Sequence, residues 1–267
     1  MGADRTSGRR ADRRASLYGE RVDDARLLEV LDEAVVAVRA ALDDLEDWGP
    51  TGTRPGQYRL DVAADDAALP ILHGAGLAVR SEESGLSGDG PSGLLAVIDP
   101  VDGSTNAHRG VPFYSTSICV LDDEGPRVGL VVNQAIGTRY AAARGGGAER
   151  DGRAIAPSGC TDLGGAIVGI SGFPGHYPGW AQFRALGAAS LECCAVAEGV
   201  LDAYLTVGRS TLYGWDYLAG LLICQEVGVT AAEREDRDLV VRDDASRRPI
   251  VAATTRLAGQ LRQEETL

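Results

Sequence analysis

LLAVIDPVDGSTN, residues 94–106, joins a short apolar run to a turn that carries two carboxylates. The run is partly β-branched, which predicts a buried strand. Pro100 stiffens the backbone between Asp99 and Asp102, so that both carboxylates can face one small cation. The backbone carbonyl of Val101 lies between them and is a candidate third oxygen ligand. We therefore expect a strand that ends in an acidic, cation-binding turn.

The residues that follow this turn are suited to bind an anion. Gly103 permits close approach of the backbone, while Ser104 and Thr105 supply hydroxyls and amides at the start of a predicted helix. Free amides at a helix N-terminus favour phosphate. An Asp-rich turn whose Ser or Thr caps a helix would satisfy the same pattern, and the turn alone does not separate the two interpretations.

Carboxylates in two other segments are candidates for the same site. Glu82 and Glu83 follow a short apolar run, and adjacent carboxylates repel each other unless a cation or solvent relieves them. Asp216 follows Trp215 at the start of an apolar helix. Taken singly, each is equally consistent with a solvated acid or an acid in the first turn of a helix.

The composition excludes several mechanisms and partners. All 26 basic residues are Arg, so the lysine of a Walker-type phosphate loop and the amine of a Schiff-base enzyme are absent. The net charge of −13 disfavours a nucleic acid partner. A small phosphorylated substrate is compatible with this charge, because bound cations reverse the local field. The five cysteines lack C-x-x-C spacing and are typical of buried small hydrophobic residues.

Hydropathy predicts no association with a membrane. No segment approaches the roughly 20 apolar residues that span a bilayer, and the N-terminus lacks the hydrophobic centre of a secretory signal. We therefore expect a cytoplasmic location. Residues 1–20 are rich in Arg and lack apolar periodicity, which predicts a disordered tail.

Hydrophobic spacing predicts two halves, an α+β half over residues 21–150 and an α/β half over 151–267, with turns at 145–152 between them. The helices expected from it lie at residues 23–48, 61–73, 182–198 and 216–226. The strands expected lie at 94–98, 115–121, 127–133, 138–143, 166–171 and 202–206. A last strand and helix follow Pro249. The fold class expected is α/β (α+β).

Three of these motifs together resemble the inositol monophosphatase family. Ser-Glu-Glu-Ser at residues 81–84, the acidic run at 99–106 and Gly-Trp-Asp at 214–216 stand in the order of that family. The resemblance extends over roughly residues 23–260. It implies a layered α/β/α/β/α sugar-phosphatase fold, a homodimer, dependence on Mg²⁺ and sensitivity to Li⁺.

The resemblance also implies roles for individual residues. Those that match metal ligands are Glu82, Asp99, the carbonyl of Val101, Asp102 and Asp216. Those that match phosphate-binding amides are Gly103, Ser104 and Thr105. The catalytic group comprises Glu82 and Ser104, whose hydroxyl matches the one that positions the attacking water. A water-orienting Asp completes it, but the usual Thr-x-x-Asp is replaced by LDVAADD at residues 60–66. Either Asp61 or Asp65 is that carboxylate.

The implied activity is hydrolysis of a small sugar or polyol phosphate, such as inositol monophosphate, by a water that Mg²⁺ activates. Histidinol phosphate, fructose 1,6-bisphosphate and nucleotide 3'-phosphates are alternative substrates. A degenerate member that binds a phosphorylated ligand without turnover is another alternative. A haloacid dehalogenase-type enzyme is disfavoured, because its paired acids are two positions apart and its lysine is missing here. Mg²⁺ suits ligands that are all hard oxygens, and the three His residues lack the spacing of a zinc site.

Overall fold

Six helices lie in the part of the chain that the computed structural model describes, residues 23–90 and 92–263. They are α1 (Asp24–Asp44), α2 (Arg59–Gly74), α3 (Ser104–Arg109), α4 (Ala189–Ala197), α5 (Gly214–Glu226) and α6 (Thr255–Gln263). Among these described helices, none combines the length and the apolar character that a membrane span requires. The predicted disordered tail, residues 1–20, lies outside the described residues.

The first sheet has eight strands. They are β1 (Ala78–Ser81), β2 (Gly85–Ser87), β3 (Leu95–Asp102), β4 (Ser115–Asp122), β5 (Gly125–Asn133), β6 (Arg139–Ala143), β7 (Gly147–Arg150) and β8 (Arg153–Ala154). Their spatial order is β2-β1-β3-β4-β5-β6-β7-β8. Strands β1 and β3 are parallel, and their register pairs Ser81 with Ile98. Glu82 and Asp99 are the next residues after this pair, so they lie beside each other on adjacent strands.

The second sheet has five strands and is also mixed. They are β9 (Ile167–Ser171), β10 (Gln182–Arg184), β11 (Ala203–Thr206), β12 (Thr230–Glu233) and β13 (Pro249–Ala252). Their spatial order is β10-β9-β11-β13-β12. Strand β9 is parallel to β10 and β11, whereas β13 is antiparallel to β11 and β12.

The helices form three layers around the two sheets. On one face of the first sheet, Leu31 of α1 and Leu60 of α2 share a buried cluster with Ile98. Helices α4 and α5 lie between the sheets, and their buried side chains share a cluster with residues of both. On the outer face of the second sheet, Leu257 of α6 shares a cluster with Leu205. This is the α/β/α/β/α arrangement that the resemblance implies.

Two predicted segments differ from the structure. The helix predicted over 182–198 is wrong in its first part, where β10 forms an exposed strand and only Ala189–Ala197 is helical. Gly187 has φ +83° and Ala188 is extended, so neither residue is helical and the helix begins only at Ala189. The passage 145–152, predicted as turns, contains β7, so the first sheet continues past residue 150. The division into two halves stays a prediction.

Candidate active site

The acidic turn is an irregular end of β3. The register between β3 and β4 shifts between Asp99 and Asp102. At the shift, Thr116 Oγ1 donates a 2.8 Å hydrogen bond to the carbonyl of Pro100. Residues three apart lie on opposite faces of a regular strand, and a bulge changes that relationship. The bulge lets the two carboxylates lie near enough for their charges to interact.

Three of the predicted metal ligands converge. Glu82, Asp99 and Asp216 each offer a carboxylate oxygen, and these oxygens all lie within 4.8 Å of one another. Glu82 follows β1 beside the end of β3 and is only partly exposed to solvent beside the other carboxylates, whereas Asp99 is buried. Asp216 lies in the first turn of α5, where it accepts a 2.7 Å hydrogen bond from the amide of Tyr213. We call these three residues the acidic cluster.

The acidic cluster fits a divalent cation. Asp99 Oδ1 is buried and has no hydrogen-bond partner among the described residues. Burial and the charge of Glu82 raise the pKa of Asp99 well above its ordinary value. The same causes raise the pKa of Asp216. Desolvation and neighbouring carboxylates raise the pKa of Glu82 to about 7. Mutually repelling hard oxygen ligands of this kind are suited to Mg²⁺.

Asp102 lies beside the acidic cluster and faces the N-terminus of α4. One of its oxygens accepts hydrogen bonds from the Ser190 amide at 2.7 Å and from the Ser190 hydroxyl at 2.6 Å. The other accepts from the Ala189 amide at 3.2 Å. Burial raises the pKa of Asp102 to about 6, and these hydrogen bonds oppose the rise. The structure therefore gives Asp102 a contact with α4 that the sequence did not indicate.

Asp61 is the upstream carboxylate that contacts the acidic turn. Its Oδ1 accepts a 2.6 Å hydrogen bond from Ser104 Oγ, and its Oδ2 accepts a 2.9 Å bond from the Tyr58 amide. Burial raises the pKa of Asp61 to about 6. Asp65 instead accepts a 2.5 Å hydrogen bond from the hydroxyl of Ser81. Of the two alternatives, Asp61 is therefore the one placed beside Ser104.

Glu83 does not join the acidic cluster. Arg54 Nη2 and Gln57 Nε2 each lie 2.6 Å from Glu83 Oε2. The charge of Glu83 is thus balanced by an arginine. A bound cation is therefore not needed to balance Glu83.

A glycine and an asparagine hold the acidic turn against the loop before α4. Gly103 has φ +90°, and a Cβ there would lie 3.0 Å from the Gly187 carbonyl oxygen and 3.1 Å from that of Phe113. Asn106 Nδ2 donates to the carbonyls of Phe113 and Leu186 at 2.8 and 2.7 Å. A side chain at position 103 would therefore be strained by both the φ angle and these contacts, and Asn106 connects the turn to the loop before α4.

The acidic cluster borders two cavities. The inner cavity, of about 250 Å³, is lined by Asp102 and Asp216 together with Glu192 and Tyr204. The outer cavity, of about 550 Å³, is lined by a different set of residues, namely Asp61, Glu82, Ser104, Arg54 and Tyr213 among others. The Asp61–Ser104 contact therefore borders the outer cavity and not the inner one.

Sequence reasoning missed three residues of the inner cavity and its border. Ser190 and Glu192 belong to α4, which the overlong predicted helix concealed. Glu192 is 1% exposed, and burial raises its pKa to about 8. Tyr204 lies in a strand that was predicted correctly, but its aromatic ring gave no reason to separate it from the core. A buried acid within the apolar run at residues 191–197 was the available signal.

Comparisons with known proteins agree with this geometry. A model of the inositol monophosphatase family matches residues 73–266. A fructose-1,6-bisphosphatase/inositol-1-monophosphatase from Archaeoglobus fulgidus is 33% identical over 207 residues, which cover 75% of this chain and 80% of the relative. Nus factor SuhB from Pseudomonas aeruginosa is 36% identical over 191 residues, 63% of this chain and 69% of the relative. The structure of inositol monophosphatase from Anabaena (Nostoc) sp. PCC 7120 matches with a TM-score of 0.74 at 25% identity, covering 91% of this chain and 98% of that chain.

Proposed function

Because this chain belongs to the inositol monophosphatase family, we propose that it is a Mg²⁺-dependent phosphomonoesterase acting on a small sugar or polyol phosphate, such as inositol monophosphate. Membership of the family supports phosphatase activity in general terms. One observation carries the finer proposal. Glu82, Asp99 and Asp216 converge around a buried Asp99 oxygen that lacks a partner among the described residues. If these acids had only a structural role, their mutual repulsion would destabilise the fold without compensation.

The oxygens that would hold Mg²⁺ come from three segments. They are the carboxylates of Glu82, Asp99, Asp102 and Asp216 and the carbonyl of Val101. When bound, Mg²⁺ neutralises phosphate oxygens and lowers the pKa of a water ligand. The pKa values of Glu82, Asp99 and Asp216 are raised by burial and by mutual repulsion, which supports a site that becomes fully ionised only with a cation present.

Ser104 and Asp61 orient the attacking water. A hydroxyl has one proton and two lone pairs, so Ser104 can donate to Asp61 while it accepts a hydrogen bond from water. Ser104 Oγ lies 2.6 Å from Asp61 Oδ1 and 2.9 Å from the Val101 carbonyl oxygen, so its single proton is directed toward these acceptors and its lone pairs stay available to water. Asp61, with a pKa of about 6, is able to hold a proton released near neutral pH.

Phosphate lies over the first turn of α3. The amides of Ser104 and Thr105 have no acceptor within that helix, because the first turn of any helix leaves its amides free. Gly103, at the N-cap with φ +90°, lets the backbone approach the phosphate oxygens. These amides assist binding of an anion whose charge is otherwise balanced by the cations.

A substrate panel tests the proposal. Phosphate release from inositol 1-phosphate, histidinol phosphate, fructose 1,6-bisphosphate and adenosine 3'-phosphate is measured with Mg²⁺ and with a chelator. We expect Mg²⁺-dependent turnover of at least one ester, and its loss in Asp99→Asn. Turnover that survives chelation or that persists in Asp99→Asn would contradict the proposal. Tight binding of these esters without turnover would instead support a degenerate binding protein.

Some relatives favour a second role. Nus factor SuhB from Pseudomonas aeruginosa and from Pasteurella multocida match this chain at 36% and 31% identity. A role as a Nus factor does not exclude hydrolysis, but such a role alone does not require the acidic cluster. Phosphatase activity is therefore the better supported function.

Further expectations from the sequence stay predictions. The family resemblance implies a homodimer and inhibition by Li⁺, whereas hydropathy and net charge predict a cytoplasmic location and no nucleic acid or membrane partner. Sedimentation of the purified chain tests the dimer, and phosphate release at increasing Li⁺ tests the inhibition.

A further inference from the structure

One residue that lines the inner cavity carries a buried hydroxyl that has no hydrogen-bond partner among the described residues. Tyr204 is 0% exposed, and its Oη has no hydrogen-bond partner among the described residues. Tyr204 lies on β11 and lines the inner cavity beside Glu192. Leaving a buried hydroxyl unpaired destabilises a fold, so such a group indicates a ligand that supplies the missing partner.

Glu192 and Tyr204 are neighbours above a glycine of β9. A Cβ at Gly169 would lie 2.9 Å from Glu192 Oε1 and 3.1 Å from Tyr204 Cδ2. Glycine at this position thus leaves room for the Glu192 carboxyl group and the Tyr204 ring. Glu192 Oε1 also accepts a long, 3.4 Å hydrogen bond from the Leu186 amide, which leaves capacity for another donor.

The position of the inner cavity suits the leaving group. In phosphoryl transfer the attacking and leaving oxygens lie roughly in line across the phosphorus. The proposed water site at Ser104 and Asp61 borders the outer cavity and not the inner one, so we assign the inner cavity to the alcohol. Its volume of about 250 Å³ accommodates a single ring or a short polyol.

The charged side chains that line the inner cavity further restrict which leaving groups can bind there. Its described lining includes the carboxyl groups of Asp102, Asp216 and Glu192 but no Arg or His side chain. A second phosphate on the alcohol would find no cationic side chain there. Uncharged hydroxyl groups, by contrast, match one donor and one acceptor among its lining residues.

We propose that Tyr204 and Glu192 recognise hydroxyl groups of an uncharged polyol leaving group, with Tyr204 Oη donating and the Glu192 carboxyl accepting. The inference rests on the proposed phosphatase function and adds the residues that select the alcohol. Tyr204 and Glu192 are specificity-determining residues, and neither contacts the phosphate.

Two substrates of similar ring size separate recognition of hydroxyls from catalysis. Inositol 1-phosphate carries five free ring hydroxyls, and cyclohexyl phosphate carries none. In Tyr204→Phe and in Glu192→Met, which remove the proposed donor and the proposed acceptor, we expect kcat/KM for inositol 1-phosphate to fall roughly 3- to 10-fold per hydrogen bond lost. For cyclohexyl phosphate we expect it to stay within about twofold of the wild type, because that substrate never formed the bond.

Tyr140→Phe is the matched control. Tyr140 is also buried, but its hydroxyl donates a 2.7 Å hydrogen bond to Glu198, and it does not line the inner cavity. This variant should leave the ratio of the two kcat/KM values unchanged. Thermal unfolding with Mg²⁺ present verifies that each variant is folded at the assay temperature.

The outcomes distinguish this inference from the proposed function. If both substitutions change kcat/KM for the two substrates equally, or change neither, Tyr204 and Glu192 do not recognise the alcohol. The inference is then wrong, whereas the phosphatase assignment stands. If the wild type hydrolyses neither substrate with Mg²⁺, the assignment itself fails for ring phosphates and the inference fails with it.

Discussion

The hydroxyl of Ser104 donates a 2.6 Å hydrogen bond to Asp61 Oδ1 across 43 residues of sequence. This bond connects the first turn of α2 with the start of α3. The amide of Tyr58 holds the other oxygen of the same carboxylate at 2.9 Å. The orientation of Ser104 therefore depends on the position of α2, although Ser104 lies in the acidic turn.

Asp61→Asn should lower kcat by roughly 10²- to 10⁴-fold, because the amide cannot accept a proton from the hydroxyl and the oriented water. Steady-state phosphate release at saturating Mg²⁺ and substrate measures this. Asp65→Asn is the matched control, since Asp65 is also buried on α2 but contacts Ser81. We expect it to lower kcat by less than about tenfold. A larger loss in Asp65→Asn than in Asp61→Asn would reverse the assignment.

Mg²⁺ should stabilise the wild type and not Asp99→Asn. A ligand that binds only the folded state stabilises it by about 2.7 kcal/mol at a concentration 100 times its Kd. Asp99 has the buried orphan oxygen, so its loss removes a ligand. Thermal unfolding with and without Mg²⁺ measures the difference in Tm. Without metal, Asp99→Asn should be at least as stable as the wild type, because it removes a repelling buried charge.

The metal-free protein should lose stability as pH rises from about 4 to about 7. The folded-state pKa values of Asp61 and Asp102, about 6, and of Glu82, about 7, lie above their ordinary values. Over this window the folded chain keeps protons that the unfolded chain has released, so the free energy of unfolding falls.

Other ionisable groups also contribute to this pH dependence. The wild type is therefore compared with Asp99→Asn by urea unfolding in a chelator. The fall should be smaller in the variant, and Mg²⁺ should flatten the curve of the wild type. An equal pH dependence in the two proteins would show that the carboxylates do not repel one another.

Gly103→Ala should destabilise the fold by about 2 kcal/mol or more, because φ +90° is strained for alanine and the new Cβ would press on two carbonyl oxygens. Gly137→Ala is the control. Gly137 has φ +77°, but a Cβ there meets nothing within 4 Å. It should therefore show only the conformational cost, about 1 kcal/mol. Urea unfolding measures both, and equal losses would contradict the close approach at Gly103.

The sequence predicted best those parts of the site that lie within one continuous motif. The apolar run before Asp99 determines a strand, and Gly103 with Ser104 determines where it ends. The sequence could not decide whether Asp61 or Asp65 is the upstream carboxylate of the site. The two residues are one helical turn apart and lie on one face of α2, so periodicity treats them alike. Only tertiary packing places one beside Ser104 and the other beside Ser81.

Helix α4 shows a second limit of sequence reasoning. All of its residues are buried, so no polar face marks where the helix begins. Its N-terminus therefore stayed hidden within the segment predicted over 182–198, and with it the contact between Ser190 and Asp102. Glu192 was missed for the same reason. A single acid among apolar residues does not stand out in the hydrophobic pattern. Its burial, which makes it a candidate functional residue, is visible only in the structure.

The most direct test of the account is anomalous scattering from crystals soaked in Mn²⁺, an oxygen-seeking substitute for Mg²⁺. We predict a strong anomalous peak within bonding distance of the carboxylates of Glu82, Asp99 and Asp216, and its absence in Asp99→Asn. A wild-type map without a peak at these three residues, from crystals that bind Mn²⁺ elsewhere, would contradict the central claim.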